Sequence, residues 1–212
     1  MKKALILLLT ALVTVGAFAQ KSKSDILNVN NEITWLGIDF TQLRFIGNAS
    51  QFKDAGDITT STLKNRYFPG WNQLFVNEQN KFNVAGATNR TDVRYAMEVT
   101  ESANNEIKGD LFSSNPNDFT RLNKEFIEQM IKNYDFKGNK GIGLMFVAET
   151  MSKGREQAAI WVVFIDMDTK KVILAERTIS QARGIGFKNY WANTFYESLK
   201  TTRSSLKRWC KN

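Results

Sequence analysis

Histidine is absent from the 212-residue sequence, and cysteine and proline are scarce. Without imidazole the chain cannot form a Ser-His-Asp triad, a histidine metal site or a histidine pH switch. The single cysteine, Cys210, excludes a disulfide within the chain. We interpret it as an incidental terminal residue, with an intermolecular disulfide as the alternative. Only two prolines are present and no tract resembles an interdomain hinge, so we expect one domain.

The N-terminus has the three parts of a secretory signal peptide. Met1-Lys2-Lys3 is positively charged, residues 4–16 are apolar or small, and Ala17-Phe18-Ala19 fits a small-x-small cleavage site. The apolar run is shorter than the roughly 18–20 residues that span a bilayer. We therefore expect an exported protein, periplasmic or secreted, with no transmembrane segment after cleavage. The predicted divisions are a signal peptide over 1–19, a loose lead-in over 20–31 and one domain over 32–212.

The composition is that of a globular and moderately basic domain. Hydrophobic residues make up 42% of the chain and aromatic residues 12%, which is enough to form a core. Loss of Lys2 and Lys3 with the signal peptide leaves 27 of the 29 basic residues against 21 acidic ones, a net charge of +6. For an exported chain, nucleic acid is not an expected partner. An acidic protein, an acidic polysaccharide or lipid head groups are the predicted partners.

Patterning in the first half of the chain predicts two strands and a helix. β-branched and aromatic residues over 32–47 indicate a strand, broken near Asp39-Phe40-Thr41. Apolar residues at helical spacing behind a proline predict a helix over residues 69–82. Apolar and polar residues alternate over 93–99, which predicts a half-buried strand that runs on towards Leu111.

The second half predicts a helix, three strands and a terminal helix. Asn117 or Asp118 is the predicted cap of a helix whose apolar stripe extends to Tyr134. Apolar runs separated by short polar turns predict an antiparallel meander with strands over 142–150, 157–166 and 172–180. Together these elements predict an α/β sandwich. Its sheet would be mixed and mostly antiparallel, with about five strands, and about three helices would pack on it.

From Phe119 onwards the chain resembles a known class of periplasmic domain. The order is helix, strand, strand hairpin and closing helix, and the hairpin turn reads Asp166-Met167-Asp168-Thr169-Lys170-Lys171-Val172. This arrangement is similar to the α/β domains at the N-terminus of TolB and in curli-secretion-type lipoproteins, whose turn reads approximately D-x-x-T-G-x-V. The chain also resembles exported envelope proteins of unassigned function. The resemblance implies a non-catalytic, protein-binding role in the cell envelope.

Few residues offer a chemical site. Gly184-Ile185-Gly186 begins like a nucleotide-binding loop, but Asn189 stands where a dinucleotide motif needs a third glycine. We interpret these glycines as a link into the terminal helix. The tryptophans within apolar patterns are predicted to be core residues rather than sugar-stacking ones; they are Trp35, Trp71, Trp161 and Trp191.

Carboxylates are the remaining acid/base groups. Those at predicted strand ends and turns are Asp39, Glu149, Glu156, Asp166 and Asp168. The sequence places no two of them at the separation that a glycosidase needs. We interpret Asp166 and Asp168 as turn residues rather than as a cation site. No catalytic residue, cofactor or metal site is predicted.

The terminal helix is predicted to have one buried and one basic side. Its buried stripe would contain Trp191, Phe195, Leu199 and Leu206. The predicted binding residues share another side of the helix and are Lys200, Arg203, Lys207 and Arg208; with Lys211 they form what we call the basic face. The face is either a solvated surface that complements the helix C-terminus or a strip for an acidic partner or lipid head groups.

Three functions remain open on this basis. The first is a non-enzymatic exported domain that binds another envelope component, above all protein, in an assembly or adaptor role. The second is a binder of a small or acidic ligand, such as a lipid or polysaccharide fragment, through a cleft near residues 184–190 and the basic face. The third is a carboxylate-dependent hydrolase. A flat surface patch would favour the first, an apolar cavity the second and a pocket with two close carboxylates the third.

Overall fold

The computed structural model describes residues 20–47 and 58–211, so the predicted signal peptide lies outside the described residues. The strands are β1 (Ile33–Asp39), β2 (Arg44–Ile46), β3 (Arg94–Tyr95), β4 (Phe112–Ser113), β5 (Ile142–Ser152), β6 (Gln157–Asp166) and β7 (Lys171–Gln181). The α-helices are α1 (Lys23–Leu27), α2 (Thr60–Thr62), α3 (Phe68–Asn72), α4 (Leu74–Asn77), α5 (Val84–Ala87), α6 (Glu98–Asn105), α7 (Lys124–Lys132) and α8 (Phe187–Lys211).

The sheet corrects the predicted fold class, because four of its six strand pairings are parallel. β1 and β2 follow one another along the same edge of β5, with Ile38 opposite Phe146 and Phe45 opposite Met151. β3 and β4 pair outside β1 and β2, also in parallel. The prediction of a mostly antiparallel sheet was therefore wrong. The prediction of about three helices was also wrong, since the described residues contain more. Apolar runs show that a strand is buried, but they carry no information about the direction of its neighbour.

The predicted meander of the second half is confirmed. β5 pairs with β6 from Ile142 opposite Asp166 to Ser152 opposite Gln157, and β7 pairs with β6 in the same antiparallel manner. These strands are joined by short turns, so their pairing follows from chain order alone. The predicted break in the first strand is also confirmed, because β1 ends at Asp39 and β2 begins at Arg44.

Two predicted elements of the first half differ from the structure, one in kind and one in its bounds. The alternation over 93–99 gives only the short strand β3, and the chain then enters helix α6 at Glu98. The helix predicted over 69–82 begins earlier, since α2 continues through a π-helical turn over Leu63–Tyr67 into α3 and α4 and ends at Asn77. Counted with this continuous run as one, the described residues form six α-helical units.

The helix predicted behind Asn117 or Asp118 is divided into two. Asn115 caps a 3₁₀-helix over Pro116–Thr120 by accepting from the Asn117 N–H. The longer helix α7 starts later, where the Asn123 side chain accepts from the Phe126 N–H. An Asn side chain can cap either kind of helix, so the sequence pattern located the region but not the break.

The prediction of a loose lead-in over residues 20–31 was also wrong. It contains α1, where Ser22 and Asp25 form a capping box, and Ile26 is fully buried in the core shared with α8.

Two hydrophobic cores cover the two sides of the sheet. Along β5, Leu144 and Phe146 point into the main core with α8, whereas Met145 and Val147 point into a second core with α6 and α7. The four tryptophans named above are at most 4% exposed, which confirms them as core residues. No helix in the described part of the chain is long and apolar enough to cross a membrane.

Side chains replace a neighbouring strand along the second half of β1. The Asn72 side chain accepts from the Ile38 N–H at 2.8 Å. Asn104 accepts from the Phe40 N–H at 2.7 Å and donates to the Ile38 carbonyl at 2.9 Å. Thr100 donates to the Leu36 carbonyl at 2.6 Å. Because these groups are buried, each bond satisfies a main-chain atom that would otherwise be costly to leave unpaired.

Candidate functional site

The basic face lies on the solvent side of α8. Trp191, Phe195, Leu199 and Leu206 are buried in the main core, as the helical spacing predicts. The five cations of the basic face are all exposed. The structure therefore brings the predicted binding residues together on one accessible surface.

Few carboxylates neutralise this surface. Lys200 pairs with Glu197 at 3.1 Å and lies over the Tyr196 ring at 5.3 Å. Arg208 donates to the Ser205 hydroxyl at 3.0 Å. Within residues 20–47 and 58–211, no carboxylate lies within ion-pair distance of the other three cations of the face, Arg203, Lys207 and Lys211. The face keeps most of its positive charge for solvent or a partner.

The glycines before α8 form a turn rather than a phosphate-binding loop. Gly184 and Gly186 have φ values of 127° and 83°, which favour glycine. The Tyr190 N–H donates to the Gly186 carbonyl at 2.9 Å, so the glycine turn leads directly into the first main-chain bond of α8. A side chain at position 184 would meet the Asn189 backbone at 3.1 Å. Gly184 and Gly186 therefore act as the link into the terminal helix that the sequence predicts.

Glu149 is a structural carboxylate at the bulge of β5. It is fully buried, and one oxygen accepts from the Arg121 N–H at 2.6 Å and the Leu122 N–H at 2.8 Å. The other oxygen accepts from the Trp161 indole at 3.0 Å and from Arg177 at 2.7 Å. Four protein donors thus surround it, and its role is to fix the segment before α7 on the sheet.

Asp39, at the end of β1, is buried beside Tyr134, which lies two residues after α7. The Tyr134 hydroxyl donates to Asp39 at 2.5 Å, and the Thr41 N–H and hydroxyl donate to its other oxygen. Burial raises the pKa of Asp39, against the lowering effect of these bonds. Burial and the adjacent carboxylate also raise the pKa of Tyr134. The pair is 95 residues apart in the chain, so no sequence pattern pointed to it.

The other candidate carboxylates bind main-chain groups or lie in solvent. Asp166 accepts from the Lys21 N–H at 3.0 Å and the Asp168 N–H at 3.2 Å. Asp168 accepts from the Gly141 N–H at 2.9 Å, which agrees with the predicted turn role. Glu156 is exposed in a left-handed turn. Within the described residues, no three acidic or cysteine side chains are grouped so as to hold a metal ion.

Cys210 is half-buried against the main core. Burial raises the pKa of its thiol, which disfavours the reactive thiolate. This environment supports the interpretation of Cys210 as an incidental residue.

A cleft of about 980 Å³ lies where the parallel strands β2, β4 and β5 end. We call it the carboxyl-end cleft. Its apolar lining comes from Ile46, Ile58, Phe112 and Pro116. In sheets with parallel strands, ligands commonly bind outside the carboxyl ends of those strands. Sequence reasoning missed this site, because its described lining comes from four separated parts of the chain.

The polar groups of the cleft differ in their availability. The Asp110 carboxylate accepts from the Phe112 N–H at 3.0 Å, and the Ser113 hydroxyl donates to Asp118 at 2.5 Å. The Arg155 guanidinium lies 4.4 Å from the Phe119 ring centre, and no carboxylate of the described residues pairs with it. Among the described lining residues, Arg155 is therefore the cation that remains free to meet an anion.

Comparison with known proteins gives no relative: no family model, no curated protein and no solved structure matches the chain. The resemblance to TolB N-terminal and curli-secretion-type domains stays a prediction from the sequence.

Proposed function

We propose that this protein is an exported, non-enzymatic cell-envelope protein that binds an acidic surface of another envelope protein, in an assembly or adaptor role. The observation that carries the proposal is the basic face of α8, with exposed cations at Lys200, Arg203, Lys207, Arg208 and Lys211. Export rests on the signal peptide predicted over residues 1–19.

The chemistry of this surface favours an electrostatic contact. The cations from residue 200 to residue 211 extend over about 16 Å of helix, at 1.5 Å per residue. None of the large apolar side chains exposed in the described residues belongs to α8. A partner would therefore be recognised by charge, with fast association that weakens as salt is added.

The first test is a crosslinking pull-down of the tagged mature protein from its own envelope, read by mass spectrometry. The variant carries Lys200→Gln, Arg203→Gln, Lys207→Gln and Arg208→Gln. The control carries the same loss of charge at exposed sites outside α8: Arg66→Gln, Lys108→Gln, Lys132→Gln and Lys171→Gln. We expect one dominant protein partner whose affinity for the variant falls about tenfold or more, whereas the control retains it.

Two outcomes would overturn the protein-binding proposal. One is equal recovery of the partner with the variant and the parent. The other is recovery of the parent with lipid or acidic polysaccharide and no protein, which would make these molecules the partners of the basic face.

A second candidate function is the binding of a small or acidic ligand. The sequence suggested a cleft near residues 184–190, but the turn there lines none of the carboxyl-end cleft. The carboxyl-end cleft supports this candidate at a different position, through its apolar lining and Arg155. We do not propose a hydrolase, because Asp39, Glu149 and Asp166 are buried and already accept hydrogen bonds from the protein.

A further inference from the structure

We propose that the carboxyl-end cleft binds an amphipathic carboxylate, that is, a single acyl chain with one anionic head group. The inference is independent of the contact proposed for the basic face, because no residue that lines the cleft belongs to α8. It narrows the small-ligand candidate to one site and one class of ligand.

Size and lining favour a chain-like apolar body. The cleft, at about 980 Å³, lies near the upper end of the roughly 300–1,000 Å³ found for small-molecule sites. Ile46 and Ile58 line the cleft and are each 8% exposed, so each contributes a small apolar surface to it. Phe112 and Pro116 extend this apolar surface along the cleft. An acyl chain would remove such surface from water without needing hydrogen bonds.

The charges select the head group. Arg155 presents a planar guanidinium, which matches a carboxylate with two parallel hydrogen bonds. Its contact with the Phe119 ring restricts the side chain near the cleft, which lowers the entropy lost on binding. Asp110 also lines the cleft and repels a second negative charge. Among the described residues that line the cleft, a free cation beside a carboxylate fits a monoanion better than a dianion or a bare phosphate.

The experiment uses the mature protein and the fluorescent probe 11-(dansylamino)undecanoate, displaced by competitors. We expect displacement by dodecanoate, much weaker displacement by decanol and none by inorganic phosphate. Arg155→Gln should weaken probe binding about tenfold or more, since a charge-assisted hydrogen bond is lost. Arg66→Gln is the matched control, because Arg66 is also exposed and stacked on a ring, that of Tyr67, outside the cleft.

A second variant blocks the cleft without straining the fold. Gly154 lines the cleft, has no positive φ and has no atom within 4 Å of an added Cβ, so Gly154→Trp should fold and exclude the probe. Thermal melting of each variant confirms that it is folded. Equal probe binding by parent, Arg155→Gln and Gly154→Trp would overturn the proposal.

Two further outcomes would also overturn it. Displacement by inorganic phosphate as strong as that by dodecanoate would indicate a simple anion site. Loss of the probe from the basic-face variant, with binding retained by Arg155→Gln, would show adsorption to α8 instead. Conversely, if the basic face binds no partner but Arg155→Gln loses the probe, only the proposed function fails.

Discussion

The two flanks of β5 are completed in different ways. On one flank, β6 and β7 follow as an antiparallel meander joined by short turns. On the other flank, β1 and β2 pair in parallel, and the far edge of β1 is completed by side chains of distant helices, Asn72 and Asn104 among them. Both flanks pair with β5 through main-chain bonds, but the outer edge of β1 also depends on individual side chains.

The largest loss of stability is expected from a substitution in the core that the two flanks share. Phe195 on α8 packs at 6.0 Å from the Phe40 ring and 5.8 Å from the Trp71 ring and is fully buried. Phe195→Ala should lower the free energy of unfolding by roughly 3–5 kcal/mol, because it leaves a cavity. Denaturant unfolding measures this, with Ile185→Ala, 93% exposed, as the control. A loss below about 1 kcal/mol would show that α8 is peripheral.

A smaller loss of stability is expected from a substitution that affects the parallel flank alone. Asn104→Leu leaves the Phe40 N–H and the Ile38 carbonyl with fewer buried partners, so we expect a loss of about 2–4 kcal/mol. Asn105→Leu, at the neighbouring exposed position of α6, should cost less than about 0.5 kcal/mol.

Native-state hydrogen exchange locates the effect of Asn104→Leu. The Phe40 amide should exchange faster, and the amides of β6 should change only as much as the global stability does. Equal extra exchange in β6 and β1 would remove the distinction between the flanks.

The smallest effect on stability is expected from the protonation of Asp39 at the end of β1. Burial raises the pKa of Asp39, so the folded protein keeps this proton at a pH where the unfolded chain has lost it. This group's contribution to stability is therefore complete below the unfolded pKa, about 4, and is lost as the pH rises through the folded pKa. Asp39→Asn should remove this dependence. Denaturant titrations should show that the parent's excess in free energy of unfolding over Asp39→Asn shrinks between pH 4 and pH 8. An excess that grows over this range would contradict the prediction.

The difference between the flanks also explains where sequence reasoning succeeded. The apolar runs over β5, β6 and β7 lie next to one another in the chain, so reading them in order gave the meander. The alternation at residues 93–99 was misleading, since of Val93, Met97 and Val99 only Val93 lies beside the short strand β3. Met97 enters the main core and Val99 the second core from the start of α6 rather than from a strand. Local periodicity cannot show such a change of direction.

The candidate sites divide in the same manner. The basic face was predictable, because cations and apolar residues share one helix and their spacing alone separates them into two sides. The carboxyl-end cleft and the Glu149–Arg177 pair were not, because each joins residues from distant segments.

The sequence by itself determined the buried strands of the meander, the apolar and basic sides of α8 and the absence of histidine chemistry. All of these depend on residue type and short-range spacing. The tertiary structure decided the parallel pairing of β1 and β2 with β5, the side chains that complete β1, and the cleft at the strand ends. The physical reason is that these features come from contacts between segments far apart in the chain, whose partners are selected by packing of the whole core.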